Sequence, residues 1–281
     1  MIPHISTSLI VTTYNWPEAL KLVLLSICDQ SVKPSEVIVA DDGSGLETAE
    51  VIKDVLSSSS YRWSHVRHED KGVRQSRIKN LAVKYSCGQY LIFIDHDVVL
   101  HQDFIGDHLA MAEDGFFLQG KRSLLPGYYT EEVLKRGRFI LPKFWTKGLR
   151  NRKNIFHSPL MGKILSRRKN FETSLRGCNL SMFKSDFLKV DGFDETYDQS
   201  WGREDSDLCY RMFHQGIRVK TLWCTALQYH LKHRTVDNWD RERLNGELSK
   251  TLKEKRGSAK KGYSTLTNEG KVVSSSYERN E

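Results

Sequence analysis

Three stretches of this chain end an apolar run on polar residues able to do chemistry. Asp95-His96-Asp97 closes the run 90–94. Two carboxylates at i and i+2 would face opposite ways in a continuing strand, but a turn after Ile94 brings them onto one cation. Hard divalent ions take such oxygen ligands and keep positions for water and phosphate. The plain alternative is a solvated acidic turn; its place at the carboxyl end of a central strand favours a metal. Asp41-Asp42-Gly43-Ser44 ends a second run, 36–40. Those residue types form ordinary turns, or one Asp accepts a hydrogen bond from a base N–H or a ribose hydroxyl. Thr12-Thr13-Tyr14-Asn15 ends a third run and is expected beside the second in one crevice. Further along, Glu204 and Asp205 open a predicted helix, where acids either cap the first turn or supply a base. Tyr229-His230-Leu231-Lys232-His233 brings two histidines to i, i+3 spacing.

These residues need a frame to position them. Residues 8–13, 36–41, 62–68 and 90–95 have strand character. Between them, 18–30, 47–57 and 73–87 have helical periodicity, with Leu20, Val23, Leu24 and Ile27 on one face and Pro17 suited to the first turn. Alternating strands and helices imply an α/β fold with a parallel sheet covered on both faces. In such sheets ligands bind beyond the carboxyl ends of the strands, where Thr13, Asp41 and Asp95 lie. Short and longer helices are predicted over 184–190 and 204–215, the latter stopped by Gly216. The expected division is a nucleotide-binding half (1–100), an acceptor-binding half (101–245) and a flexible or helical tail (246–281), most of 254–281 being flexible.

At 281 residues with 39% apolar content the chain can bury a sizeable core, which excludes disordered and fibrous classes. Apolar stretches of a few residues are too short for a membrane span, which needs roughly 20. No basic start with an apolar run marks a secretory signal. Five scattered cysteines, none at metal-knuckle spacing, suggest a reduced, cytoplasmic protein. Net charge is +8, but residues 121–172 hold 14 Lys or Arg against three acids, a local +11. With weak periodicity and several Pro and Gly, this block is expected to be an insertion with mobile parts. Its charge suits an anionic partner: nucleic acid, acidic membrane or phosphorylated glycan.

Val11-Thr-Thr-Tyr-Asn15, Asp41-Asp-Gly-Ser44 and Asp95-His-Asp97, in this order and spacing, resemble the inverting family 2 glycosyltransferases of GT-A fold. Lys71-Gly-Val-Arg-Gln-Ser-Arg-Ile-Lys-Asn80 is similar to their segment before the metal strand. Trp201-Gly-Arg-Glu-Asp205 resembles the W-G-G-E-D motif of galactosyltransferase-like C-terminal regions, with Arg203 where a second Gly is usual. The likeness spans about residues 8–233 and extends to bacterial capsule and lipopolysaccharide-core enzymes and to the chondroitin-polymerase type. The chain has room for one catalytic unit, not a two-site polymerase.

The resemblance implies a nucleotide-sugar site at Thr13, Tyr14, Asn15, Asp41, Asp42, Lys79, Asn80 and Asp95. It implies Asp205 as base, Glu204 as a ligand of the acceptor hydroxyl, Trp201 and Arg203 on the acceptor side, and His230 as a third metal ligand, with His233 on the diphosphate. Inverting transfer is one in-line displacement, needing a base for the acceptor hydroxyl and a cation for the departing diphosphate. Asp97 is then the direct ligand of manganese or magnesium, with Asp95 on ribose or reaching the metal through water. The expected donor is UDP-linked; the acceptor is a glycan or glycolipid hydroxyl, with the basic block over or beside its cleft or against the inner face of the cytoplasmic membrane. Two alternatives compete. A nucleotidyltransferase would show a Gly-rich, Lys-containing loop after the first strand, where this chain has Asn15-Trp16-Pro17-Glu18. A nucleic-acid-binding protein would use the basic block but has no role for the acids.

Overall fold

The computed structural model describes residues 5–173, 175–234, 240–267 and 269–277. Its strands, in chain order, are β1 (Thr7–Thr13), β2 (Glu36–Asp41), β3 (Arg62–Arg67), β4 (Tyr90–Asp95), β5 (Val98–Leu100), β6 (Phe116–Gln119), β7 (Arg122–Leu124), β8 (Arg167–Lys169), β9 (Leu180–Phe183), β10 (Arg218–Thr221), β11 (Gln228–His230) and β12 (Lys271–Ser275). The helices are α1 (Pro17–Cys28), α2 (Leu46–Leu56), α3 (Gln75–Lys84), α4 (Phe104–Met111), α5 (Gly127–Arg136), α6 (Pro159–Leu165), α7 (Lys184–Lys189), α8 (Glu204–His214) and α9 (Arg241–Lys253).

A nine-stranded sheet runs β12-β3-β2-β1-β4-β9-β6-β10-β8, and a three-stranded sheet runs β5-β11-β7. β3, β2, β1 and β4 are mutually parallel, as the alternating pattern predicts. The far half is mixed: β9 is antiparallel to β4 and β6, while β10 is parallel to β6. The nine-stranded sheet thus combines strands from both sides of residue 100.

The central strands are apolar on both faces because each face carries its own core. Leu9, Val11, Val39 and Ile94 pack with Leu20, Val23 and Ile52 of α1 and α2. Ile10, Ile38, Leu91 and Phe93 pack on the other side with Ile78, Leu81, Leu208 and Met212 of α3 and α8. Alternation within each strand sorts successive side chains between the two cores. Pro17 opens α1, and Gly216, at φ +80°, follows the end of α8.

The 121–172 block carries β7, α5, α6 and β8, joined by irregular stretches. In the tail, 241–253 form α9, in keeping with the helical alternative. The expected flexibility of 254–281 is corrected at 271–275, where β12 pairs antiparallel with β3 at the sheet edge.

Candidate active site

The register of the sheet sets Thr13 beside Asp41 and Thr12 beside Asp95. Beyond these carboxyl ends opens a cavity of about 460 Å³. Thr13, Tyr14, Asn15, Asp42, Asp95, Asp97, Trp201 and His233 all line it. Asn15 bends the chain after β1 at φ +45°, a conformation Asn tolerates better than most residues. Its Oδ1 accepts the Gly45 N–H at 2.9 Å and its own N–H donates to Ser44 Oγ at 3.0 Å, tying the loops after β1 and β2 together.

The two adjacent aspartates part company. Asp42 reaches the cavity wall, held by His68 at 2.5 Å and by the Arg74 N–H at 3.0 Å. Asp41 turns to the sheet interior, contrary to its expected nucleotide contact. It accepts the Ser44 N–H at 2.8 Å and lies 2.8 Å from His65 Nε2. Burial pushes its carboxyl up, but the His65 and Ser44 hydrogen bonds outweigh that and hold it below the usual range. Asp41 therefore builds the turn that presents Asp42.

Asp97, His230 and His233 form a cluster whose ligand atoms lie within 4.8 Å of one another. His230 comes from β11, antiparallel to the strand that follows Asp97. Both Nε2 atoms sit 3.1 Å from Asp97 Oδ2. Burial raises the Asp97 carboxyl, yet the contacts to His230 and His233 keep it well below the ordinary carboxylate range. Its other oxygen, Oδ1, is buried with no hydrogen-bond partner among the described residues. An unsatisfied carboxylate oxygen beside two imidazoles suits a divalent ion. His233 joins this cluster rather than standing apart on the diphosphate side.

Deeper, Lys79 of α3 donates to Glu204 Oε1 at 3.0 Å, both side chains being buried. Burial disfavours the ammonium, but Glu204 and Asp95 outweigh it and hold Lys79 protonated. Asp205, at the start of α8, accepts the Gly177 N–H through Oδ2 at 2.7 Å and the Ser206 N–H through Oδ1 at 2.6 Å. Burial and the neighbouring Glu204 push its carboxyl up to about 6, against the pull of Lys79. Asp95 is raised chiefly by burial, with Lys79 opposing.

Two further expected site residues serve the frame instead. Asn80 exchanges two 2.8 Å hydrogen bonds with the Phe193 backbone, fully buried away from the cavity. The Arg203 side chain runs to Asn245 of α9 at 2.9 Å, and its backbone sits at φ +75°. That left-handed geometry explains why glycine is usual at this point of the motif. Sequence reading missed Trp16, Gln75 and His96 on the cavity wall, and Gly177 as a donor to Asp205. Trp16 directly follows one recognised motif and His96 lies within another, which was the available signal. Nothing local to Gly177 announces its partner 28 residues away.

Comparison with known proteins gives this geometry a family. The Glycosyl transferase family 2 pattern matches residues 8–189, and one described as the N-terminal domain of galactosyltransferase matches 164–234. A hyaluronan synthase of Pasteurella multocida is 25% identical over 234 residues, covering 78% of this chain and 24% of that protein. An Escherichia coli chondroitin synthase is 24% identical, covering 79% of this chain and 34% of that one. The chain thus spans only a quarter to a third of these two relatives. Among solved structures, S. aureus TarS 1–349 in complex with UDP-GlcNAc superposes with TM-score 0.58 at 18% identity, over 83% of this chain and 60% of that one. The mannosyltransferase PcManGT of Pyrobaculum calidifontis, in complex with GDP-Man and Mn2+, gives TM-score 0.57 at 15% identity, over 82% and 58%. The strand-end motifs, the cleft they line and the match over 8–189 lead to one conclusion: the chain belongs to glycosyl transferase family 2.

Proposed function

We propose that this chain is an inverting, metal-dependent hexosyltransferase, moving a hexose from a UDP-linked donor to a hydroxyl of a bacterial surface glycan or lipid-linked acceptor. The observation that carries the reading is the convergence of Thr13, Asp42, Asp95, Asp97 and Trp201 on one cavity. Family membership sets aside nucleotidyl transfer and nucleic-acid binding. The complexes of solved relatives with UDP-GlcNAc and with GDP-Man and Mn2+ support a nucleotide-sugar donor and a divalent ion here.

Asp97, His230 and His233 would hold the ion, with Asp95 adjoining. When bound, it supplies charge neutralisation to the departing diphosphate. Manganese is expected ahead of magnesium, because imidazole nitrogens suit transition ions better than Mg2+. Tyr14, Asn15 and Asp42 line the nucleoside side. Trp201 offers a flat face for a sugar ring. Asp205 takes the proton of the acceptor hydroxyl through a carboxyl oxygen, and its raised pKa makes it a better base than a surface aspartate. The Gly177 and Ser206 N–H groups hold that carboxyl in place, while Glu204 and Lys79 pull its pKa in opposite directions. Five free cysteines support a reducing, cytoplasmic setting.

The test is nucleotide release from a panel of UDP- and GDP-sugars, with Mn2+ or Mg2+, with and without oligosaccharide acceptors. Release from UDP-hexoses that rises with acceptor is expected. GDP-sugar preference, or turnover undiminished in excess chelator, would overturn the corresponding half of the proposal.

A further inference from the structure

The basic block carries an outward apolar surface that the cleft does not use. Among the described residues, fourteen large apolar side chains are exposed, and ten of them lie in 121–172. Four belong to α6, whose packing is inverted relative to an ordinary surface helix. Its buried residue is Gly162, seated so closely on the 223–225 segment that a Cβ there would lie 2.3 Å from Thr225 Cγ2. Leu160 and Ile164, one turn apart, are 70% and 66% exposed, with Met161 and Leu165 beside them. A globular helix turns such residues inward and its polar ones outward. Here the smallest residue faces the body and the largest apolar ones face away.

Charge surrounds this face. Lys163 lies on the helix and Arg167 just beyond it, both exposed and neither ion-paired among the described residues. Behind the helix, Lys121 and Lys153 stand over the Trp223 ring at 4.0 and 4.8 Å, also without an acidic partner within 4.0 Å among the described residues. By contrast, Arg168 and Lys169 are spent on Glu113 and Glu172. Elsewhere in the block Phe144 and Trp145 are exposed between lysines 143 and 147. Apolar and aromatic side chains set among cations match the acyl–headgroup boundary of an anionic bilayer. Among the described residues no helix is long and apolar enough to cross a membrane, so the contact is one of lying on the surface.

We propose that α6 is a membrane-docking element: Leu160, Met161, Ile164 and Leu165 enter the interface of an anionic bilayer, and Lys163 and Arg167 meet its headgroups. This stands on residues outside the cleft and is independent of the donor and acceptor reading. A purely electrostatic contact would need the charges alone; this one needs the apolar face.

The test is flotation of the full chain with vesicles of phosphatidylcholine alone or mixed with phosphatidylglycerol. The wild type should bind the mixed vesicles and leave the neutral ones largely unbound. Leu160→Ser with Ile164→Ser keeps the charge and should weaken that binding roughly tenfold, with circular dichroism and donor hydrolysis unchanged. Lys163→Glu with Arg167→Glu should weaken it too and remove the preference for anionic lipid. A wild type that binds neither vesicle overturns the proposal, as does a loss below threefold in the serine variant. So does a wild-type dimer that the serine variant converts to monomer with no vesicle binding, since the face would then belong to a second copy.

Discussion

The carboxylate of Asp205 accepts the backbone N–H of Gly177 at 2.7 Å, which couples the start of α8 to the segment entering β9. That bond fixes where the carboxylate points, and burial beside Glu204 lifts its pKa to about 6. As a base it must be deprotonated, so kcat/KM should rise with pH through about 6 and level above it. Asp205→Asn keeps the size and one acceptor oxygen, gives up one of the two backbone N–H bonds and removes the basicity. Turnover should fall about 10²–10⁴-fold, the acid limb should vanish and UDP affinity should persist. Loss of UDP affinity with turnover retained would show that the residue serves the donor instead.

Lys79 and Glu204 form a buried pair at 3.0 Å. Removing one member leaves a buried charge without a partner, which costs about 3–5 kcal/mol. Lys79→Met should therefore lower the melting temperature sharply, and adding Glu204→Gln should recover much of the loss. Lys79 also draws the Asp205 pKa down. In the single variant the acid limb of the rate profile should shift to higher pH. An unshifted limb would mean that Lys79 does not act on the base.

Asp97 Oδ1 is a buried oxygen with no hydrogen-bond partner among the described residues. Isothermal titration should show Mn2+ binding in the presence of UDP, lost in Asp97→Asn and weakened in His230→Ala. Chelation should abolish turnover, and added Mn2+ should restore it better than Mg2+. Equal Mn2+ binding by Asp97→Asn would move the ion elsewhere.

Arg203 holds φ +75°, where a non-glycine residue carries strain of about 1 kcal/mol or more. Arg203→Gly relieves that strain and gives up the bond to Asn245. Its stability should equal or exceed that of the wild type in urea denaturation. A drop beyond about 1 kcal/mol would mean that the tie to α9 outweighs the strain.

What the sequence revealed and concealed follows from the range of the interactions. The strands β1, β2 and β4 were legible because unbroken apolar runs report burial on both faces, and the acids at their ends inherit their position from the sheet. The roles of Asn80 and Arg203 were not legible, because they depend on Phe193 and Asn245, which only folding brings near. Asp41 and Asp42 look alike in sequence; His65 and His68, from the neighbouring strand and its exit, decide which one faces the cleft. α6 escaped notice because its apolar side chains face outward around a buried glycine, which defeats periodicity arguments that assume an inward apolar face.

The strand β12 was also hidden, since Lys-Val-Val-Ser-Ser is short and half polar, as suits a sheet edge. Its pairing predicts that the C-terminal segment is structural. Lys271 pairs with Arg67 and Val272 with Val66, and after a register shift Ser274 and Ser275 face His65 and Ser64. Ser276 Oγ accepts the Trp63 N–H at 2.9 Å, and Arg77 reaches Thr267 Oγ1 at 2.8 Å. Truncation after Glu269 would leave β3 as an open edge with unpaired N–H and C=O groups. A loss of about 2 kcal/mol should lower the melting temperature by roughly 4–8 °C, and the exposed edge should promote self-association. Because β3 carries His65, which holds Asp41, the truncated chain should also bind UDP more weakly. A truncated protein that stays monomeric, with an unchanged melting temperature and UDP affinity, would make β12 dispensable.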